Sequence, residues 1–268
     1  MSKARNAGPR TSRATAPSGR AAGNGYARLS TRPLHVLVFL LPLIAVYEIG
    51  SALYLADRRH GQIETIKAKK LLYDFMEAFG SASLFLPGIA LIVVLLTWHV
   101  LERDRWSIRP SVLVGMLAES FLWTLPLLVF GVMLHSGEGP RAAMGDVAAS
   151  PITQLGWQAK ITLSIGAGLY EELLFRLILI AAVHFVLVDL MKFRHVTGGI
   201  VAACVSAAAF ALYHDISLPG GGINVPLAAF FSVAGLYFAT IFVLRGFGIV
   251  VAVHAIYDVV VLVLVGNH

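Results

Sequence analysis

The sequence has little charge and a single cysteine, and both shortages exclude whole classes of protein. Of its 268 residues, 13% are charged and 57% are hydrophobic, whereas soluble domains carry about 25% charged residues. The composition therefore excludes a soluble domain and predicts a chain that crosses a membrane several times. Because Cys204 is the only cysteine, neither a disulfide framework within one chain nor a cysteine cluster around a metal can form.

Acidic residues are missing from residues 1–32, which contain seven lysines and arginines. This stretch also lacks apolar periodicity, so it cannot bury enough surface to fold, and we predict a disordered basic tail. Next to a membrane span, such a tail favours attraction to anionic lipid and retention in the cytoplasm, and nucleic acid is not expected as a partner. An organelle transit peptide has a similar composition and stays an alternative.

Long apolar runs follow the tail, and a helical span needs about 20 such residues. The predicted fold is all-α: a polytopic transmembrane helix bundle of about seven spans, with eight as the upper alternative. The fourth run exceeds one crossing, so we expect it to be tilted, broken or extended beyond the bilayer. The seven runs are 33–56, 82–101, 111–134, 161–190, 196–214, 224–244 and 247–265.

Charged and apolar residues alternate over 57–81, which predicts an amphipathic helix lying at the membrane interface or a re-entrant segment. We expect three units along the chain. They are the tail (1–32), the N-terminal membrane helices with the amphipathic segment (33–154) and the C-terminal membrane core (155–268). The short loops on the same side of the membrane as the N-terminus carry more lysine and arginine than the loops on the opposite side. The protein is therefore expected to be a multi-pass protein of the bacterial inner membrane with a cytoplasmic N-terminus.

The fourth run contains the adjacent carboxylates Glu171 and Glu172, and Arg176 follows one turn later. Charges at membrane depth are costly and usually mark a functional cavity. On a helix, Glu172 and Arg176 are spaced i,i+4 and can pair, whereas Glu171 points about 100° away. One carboxylate can thus be neutralised locally while the other stays available for chemistry.

Two later runs contain polar residues at the same four-residue spacing. Phe210 and His214 end the fifth run, and His254 and Asp258 lie one turn apart within the seventh. A carboxylate one turn from a histidine commonly sets its tautomer in reactive sites. By contrast, the isolated His184 is interpreted as a packing residue.

The three pairs together resemble the CAAX protease and bacteriocin-processing (CPBP) family, intramembrane glutamic endopeptidases that include the type II CAAX prenyl endopeptidases. The family motifs are Glu-Glu-x-x-x-Arg, Phe-x-x-x-His and His-x-x-x-Asn or Asp, on successive helices. This chain has them in order as 171–176, 210–214 and 254–258. The resemblance covers roughly residues 155–265 and identifies 155–268 as the catalytic membrane core.

The resemblance implies that Glu171 and His214 activate a water molecule and that His254 stabilises the oxyanion. Asp258 stands where other members have Asn. Since an ionised Asp cannot donate to an oxyanion, we expect it to orient His254 or to be protonated. Supporting roles fall to Glu172 and Arg176, which hold the helix, and to Phe210, which packs or walls the site.

The residue chemistry alone leaves the mechanism open. A carboxylate base and oxyanion donors suffice for peptide hydrolysis, and no cofactor is favoured. Alternatively, Glu171, His214 and His254 form a two-histidine, one-glutamate set that can hold a divalent metal such as zinc. The expected partners are membrane lipid and a membrane-associated protein or peptide substrate.

Two other functions use the same residues. A proton- or ion-coupled transporter would place Glu, His and Asp in a relay, although no internal repeat of the transporter kind is evident. A non-catalytic family member would act as an immunity or scaffold protein. The match of all three motifs counts against the transporter, and the intact Glu171, His214 and His254 argue against a loss of activity.

Overall fold

The chain folds into helices throughout most of the part described by the computed structural model, which covers residues 25–55, 67, 70–72, 74, 86–134, 155–218 and 220–265. Within these ranges the only β-type pairing is an isolated bridge between Ser217 and Ile223. The helices are α1 (Tyr26–Ser30), α2 (Pro33–Leu55), α3 (Leu86–Leu101), α4 (Pro110–Leu134), α5 (Trp157–Leu190), α6 (His195–Tyr213), α7 (Val225–Arg245) and α8 (Phe247–Val265).

Six of these helices, α2 and α4 to α8, are long and apolar enough to cross a membrane. The predicted polytopic helix bundle is therefore confirmed. The predicted span 82–101 corresponds to α3, of which 16 residues are described. At 1.5 Å per residue they cover about 24 Å, less than the roughly 30 Å of a hydrocarbon core.

Helix α5 is the long fourth run, and it continues without a break over 34 residues. Its length is about 51 Å at the α-helical rise, so it exceeds one perpendicular crossing. Two stretches, Leu173–Leu179 and Phe185–Leu190, have π-helical hydrogen bonding. The first begins directly after Glu172, in keeping with the frequent occurrence of π segments at functional sites.

Helix α8 lies at the centre of the bundle and packs against α4, α5 and α7. Every residue from Phe247 to Ala255 is buried, as expected of a helix that is apolar on all sides. At Gly168 of α5 a Cβ would lie 2.7 Å from the carbonyl oxygen of Val251. Glycine there lets the two helices that carry Glu171 and His254 approach closely.

The hydrophobic core runs across the predicted boundary between 154 and 155. Leu40 and Tyr47 of α2 share one buried cluster with Leu169 and Tyr170 of α5 and Val250 of α8. The N-terminal helices thus form a wall of the same bundle that contains the C-terminal motifs.

The predicted disordered tail requires a correction at its end. Residues 1–24 lie outside the described part, but Tyr26–Ser30 form α1, whose Leu29 and Ser30 are buried. Tyr26 donates a hydrogen bond of 2.6 Å to Glu119 of α4, and Arg245 of α7 pairs with the same carboxylate. This partly exposed polar contact holds a stretch whose composition alone indicates no fold.

Most of the predicted amphipathic segment 57–81 lies outside the described residues. Lys67, residues 70–72 and Asp74 are described, and all are helical. Lys70 and Asp74 form an exposed i,i+4 ion pair at 3.1 Å.

Candidate active site

Helix α5 brings two carboxylates and a guanidinium into the interior of the bundle. Glu171 is 6% exposed, and Glu172 and Arg176 are fully buried. Nε of Arg176 lies 3.1 Å from Oε2 of Glu172, and its NH2 donates to the carbonyl of Gly235 at 3.2 Å. Pairing of this kind compensates charges that would otherwise be costly at membrane depth.

His254 of α8 shares the second carboxylate with Arg176. Its Nδ1 lies 2.7 Å from Oε1 of Glu172. Since a carboxylate only accepts hydrogen bonds, Nδ1 carries the proton, and the tautomer follows from this partner. Nε2 then faces Oδ2 of Asp258 at 3.5 Å and Oε2 of Glu171 at 4.0 Å. The partner that orients His254 through a short hydrogen bond is therefore Glu172, on another helix, rather than Asp258.

His214 is oriented by the end of α6. It follows the last helical residue in extended backbone conformation, and its Nδ1 donates to the carbonyl of Phe210 at 2.8 Å. Carbonyls of the last turn lack partners within a helix, so this bond satisfies one of them. It also leaves Nε2 unprotonated in the neutral ring, 3.8 Å from Oε2 of Glu171.

Burial also favours the neutral form of His214, which lies just beyond the end of α6. Desolvation lowers the pKa of this imidazole from its ordinary value to about 4. At neutral pH the ring therefore has a free lone pair on Nε2, which can accept a proton or a hydrogen bond.

Glu171 is the carboxylate that the ion pair leaves available. Its Oε2 is buried and has no hydrogen-bond partner in the described part of the chain. Both imidazole Nε2 atoms face it from distances just beyond direct hydrogen bonding. A water molecule can bridge two polar atoms that are separated by such a distance.

Phe210 packs in the centre of the site and is 2% exposed. The guanidinium carbon of Arg176 lies 4.3 Å from the centre of its ring, and its ring centroid is 4.6 Å from that of His214 and 5.9 Å from that of His254. The cation–π contact places part of the arginine charge against an aromatic face.

Three residues of α7 complete the site, and none of them is among the site residues that the motifs predict. Phe231 stacks on His214, Phe238 stacks on His254, and Gly235 supplies the carbonyl bound by Arg176. Their spacing of four and three residues places them on one helix face. This spacing is the sequence feature that could identify them. It does not stand out, because α7 is apolar on every side.

Other intramembrane polar residues lie elsewhere. Glu48 of α2 accepts a hydrogen bond of 2.5 Å from Tyr170, whose neighbour in sequence is Glu171. His184 lies near the far end of α5 and contacts the ring of His195. Glu119 of α4 binds Tyr26 of α1 and Arg245 of α7.

The fit of a metal to this site can be tested on its donor atoms. Ligand atoms around a tetrahedral zinc with bonds of about 2.0–2.1 Å lie roughly 3.4 Å apart. Oε2 of Glu171 is 3.8 Å and 4.0 Å from the two Nε2 atoms, and within the described ranges no group of three or more His, Cys, Asp or Glu side chains is arranged to hold a metal ion. Glu171, His214 and His254 do not form a metal cage in these positions.

Comparison with known proteins matches residues 153–260 to the family model described as type II CAAX prenyl endopeptidase Rce1-like. The matched segment contains all three motifs, and the resemblance predicted from them is confirmed. No curated protein and no solved structure matches the chain.

Replacement of Arg176 by alanine is expected to destabilise the protein strongly. The variant leaves the fully buried Glu172 without its cationic partner on the same helix, and breaking a buried pair in this way costs about 3–5 kcal/mol. Thermal unfolding of the purified protein in detergent, with membrane yield, measures the effect.

Lys70→Ala serves as the control, because it breaks an i,i+4 pair that is exposed, and exposed pairs contribute only about 0–1 kcal/mol. Equal unfolding temperatures for the two variants would show that the Glu172–Arg176 pair does not support the fold.

Proposed function

Because residues 153–260 match the Rce1-like type II CAAX prenyl endopeptidases, we propose that this chain is an intramembrane endopeptidase whose water nucleophile is activated by Glu171 and His214. The observation that supports this proposal is the buried Oε2 of Glu171, which faces two imidazole Nε2 atoms and has no direct hydrogen bond in the described chain. The proposed substrate is a membrane-associated protein or peptide, prenylated or not.

In the proposed reaction a water molecule binds between Glu171 and His214. The carboxylate of Glu171 takes a proton from the water while the Nε2 lone pair of His214 accepts a hydrogen bond from it. The water oxygen forms a bond to the carbonyl carbon of the scissile peptide. As the carbon–nitrogen bond breaks, Glu171 returns the proton to the leaving nitrogen, so that the first products are a carboxylic acid and an amine. The acid then gives its proton to the amine, which leaves a carboxylate and an ammonium group.

His254 is proposed to stabilise the oxyanion. Its Nδ1 proton is committed to Glu172, so Nε2 can donate only when the ring is an imidazolium. Glu171, Glu172 and Asp258 surround that ring and compensate its positive charge. A donor already in place at the developing oxyanion is usually the largest contribution to such catalysis.

Replacement of Glu171 by glutamine is expected to leave the fold intact and to lower the cleavage rate by about 10²–10⁴-fold, the usual cost of losing a positioned base. The amide keeps the size of the side chain but cannot accept the water proton. Cleavage of a membrane peptide that the wild type cuts measures the rate, and thermal unfolding checks the fold.

The matched control is Glu102→Gln, which changes an exposed carboxylate at the end of α3. Normal cleavage by Glu171→Gln would contradict the proposed base. A chelator series on the wild type tests the metal alternative: loss of cleavage that zinc restores would replace the mechanism proposed here, whereas unchanged cleavage supports it.

Replacement of Asp258 by asparagine is expected to keep substantial activity. The hydrogen bond that orients His254 comes from Glu172 and remains in the variant, and Asn is the other residue found in the family motif. Steady-state kinetics on the same peptide measure the outcome. A folded Asp258→Asn protein without activity would show that an ionised Asp258 takes part in the reaction.

We also propose that the N-terminus lies in the cytoplasm and that the host membrane is the bacterial inner membrane. Lysines and arginines are more numerous in the tail and the short loops on the same side of the membrane as the N-terminus, which supports the cytoplasmic placement. The arrangement predicts opposite faces for the two ends of α6. In a Cys204→Ala background, Asp215→Cys is expected to react with an impermeant thiol reagent on intact cells, and Arg194→Cys only after permeabilisation. The reverse pattern would invert the topology.

A further inference from the structure

Helix α7 presents two phenylalanines to the two histidines of the candidate active site. Phe231 and Phe238 are seven residues apart, so they lie on one face of the helix about two turns from each other. Neither belongs to the three motifs by which the site is recognised in the sequence.

Each ring is stacked on one imidazole. The Phe231 and His214 centroids are 3.9 Å apart with 21° between the ring planes. The Phe238 and His254 centroids are 4.7 Å apart with 17° between the planes. Other aromatic contacts of these histidines, including those with Phe210, are tilted or edge-on.

Gly235 lies between the two phenylalanines and determines how close α7 comes to the site. A Cβ at this position would be 2.9 Å from the carbonyl oxygen of Ala207 and 3.1 Å from its Cα, so α7 packs directly on the backbone of α6. The Gly235 carbonyl accepts the hydrogen bond from Arg176. Both phenylalanines are therefore attached to a helix that is anchored at the site.

We propose that Phe231 and Phe238 are positioning residues that hold the planes of His214 and His254 so that both Nε2 atoms face Glu171. Each imidazole has one ring nitrogen tied, His214 to Phe210 and His254 to Glu172. One hydrogen bond leaves a ring free to rotate about it, and a stacked aromatic face removes that freedom. The role in catalysis rests on the proposed function.

Phe231 also shields one face of His214 from water. The burial to which it contributes keeps the imidazole neutral, as described above. Removing the ring is expected to hydrate that face and to raise the pKa of His214 toward its ordinary value of about 6.5. Among the described residues, the charged or titratable groups near His214 are Glu171 and Arg176 of α5, Tyr213 of α6, His254 of α8 and Lys67.

The test compares Phe231→Leu with Phe242→Leu, which removes a ring from the same helix in a part that does not contact either histidine. The turnover of Phe231→Leu is expected to fall about three- to tenfold, in proportion to a lost aromatic pair, with KM unchanged. Because Phe231 covers one face of His214, the pKa of this imidazole, read from its side-chain NMR titration, is expected to rise in Phe231→Leu but not in Phe242→Leu. The variant Phe231→Tyr, which keeps the ring, is expected to retain the wild-type turnover and the wild-type pKa of His214.

Two results would overturn the proposal: an unchanged His214 titration in Phe231→Leu, or equal losses of turnover in Phe231→Leu and Phe242→Leu. The side-chain NMR titration of His214 gives a readout that does not need activity. If the wild type cleaves no membrane peptide, the proposed function fails, and the titration still decides the inference. A titration that moves to higher pH in Phe231→Leu supports the positioning role, and an unchanged one contradicts it.

Discussion

The carboxylate of Glu172 is the group on which the rest of the site depends, because it has two partners on two helices. It is fully buried, with Arg176 at 3.1 Å on its own helix and His254 at 2.7 Å on α8. A charge at that depth is tolerated only when it is paired. The same arginine reaches the Gly235 carbonyl of α7. One electrostatic requirement therefore ties α5, α7 and α8 together around the catalytic candidates.

The two adjacent glutamates have different surroundings because neighbouring side chains on a helix point in different directions. Glu172 points into the ion pair, whereas Glu171 points about 100° away, toward both Nε2 atoms. The first carboxylate maintains the structure and sets the tautomer of His254. The second has no direct hydrogen bond within the described residues, which suits it to the proposed role of proton acceptor.

Contacts within one helix could be predicted from the sequence, and contacts between helices could not. Spacing of i,i+4 was enough for the Glu172–Arg176 pair and for the approach of His254 to Asp258. The bond from His254 to Glu172 joins residues 82 positions apart, and nothing in either helix reveals it.

Phe231 and Phe238 could not be predicted for another reason: α7 is apolar on all sides, so periodicity does not single out the face of this helix that lies against the site. The fold of α1 depends on Glu119 and Arg245, which are distant in sequence.

The most direct test of the account is a mass-spectrometric comparison of membrane-protein termini in three host strains. They lack the gene, express the wild type, or express Glu171→Gln at an equal level. The account predicts new C-termini in the wild-type strain that are absent from both others, because the fold and the Glu172 pair persist in the variant while the base is lost. An identical set of new termini in the wild-type and Glu171→Gln strains would contradict it.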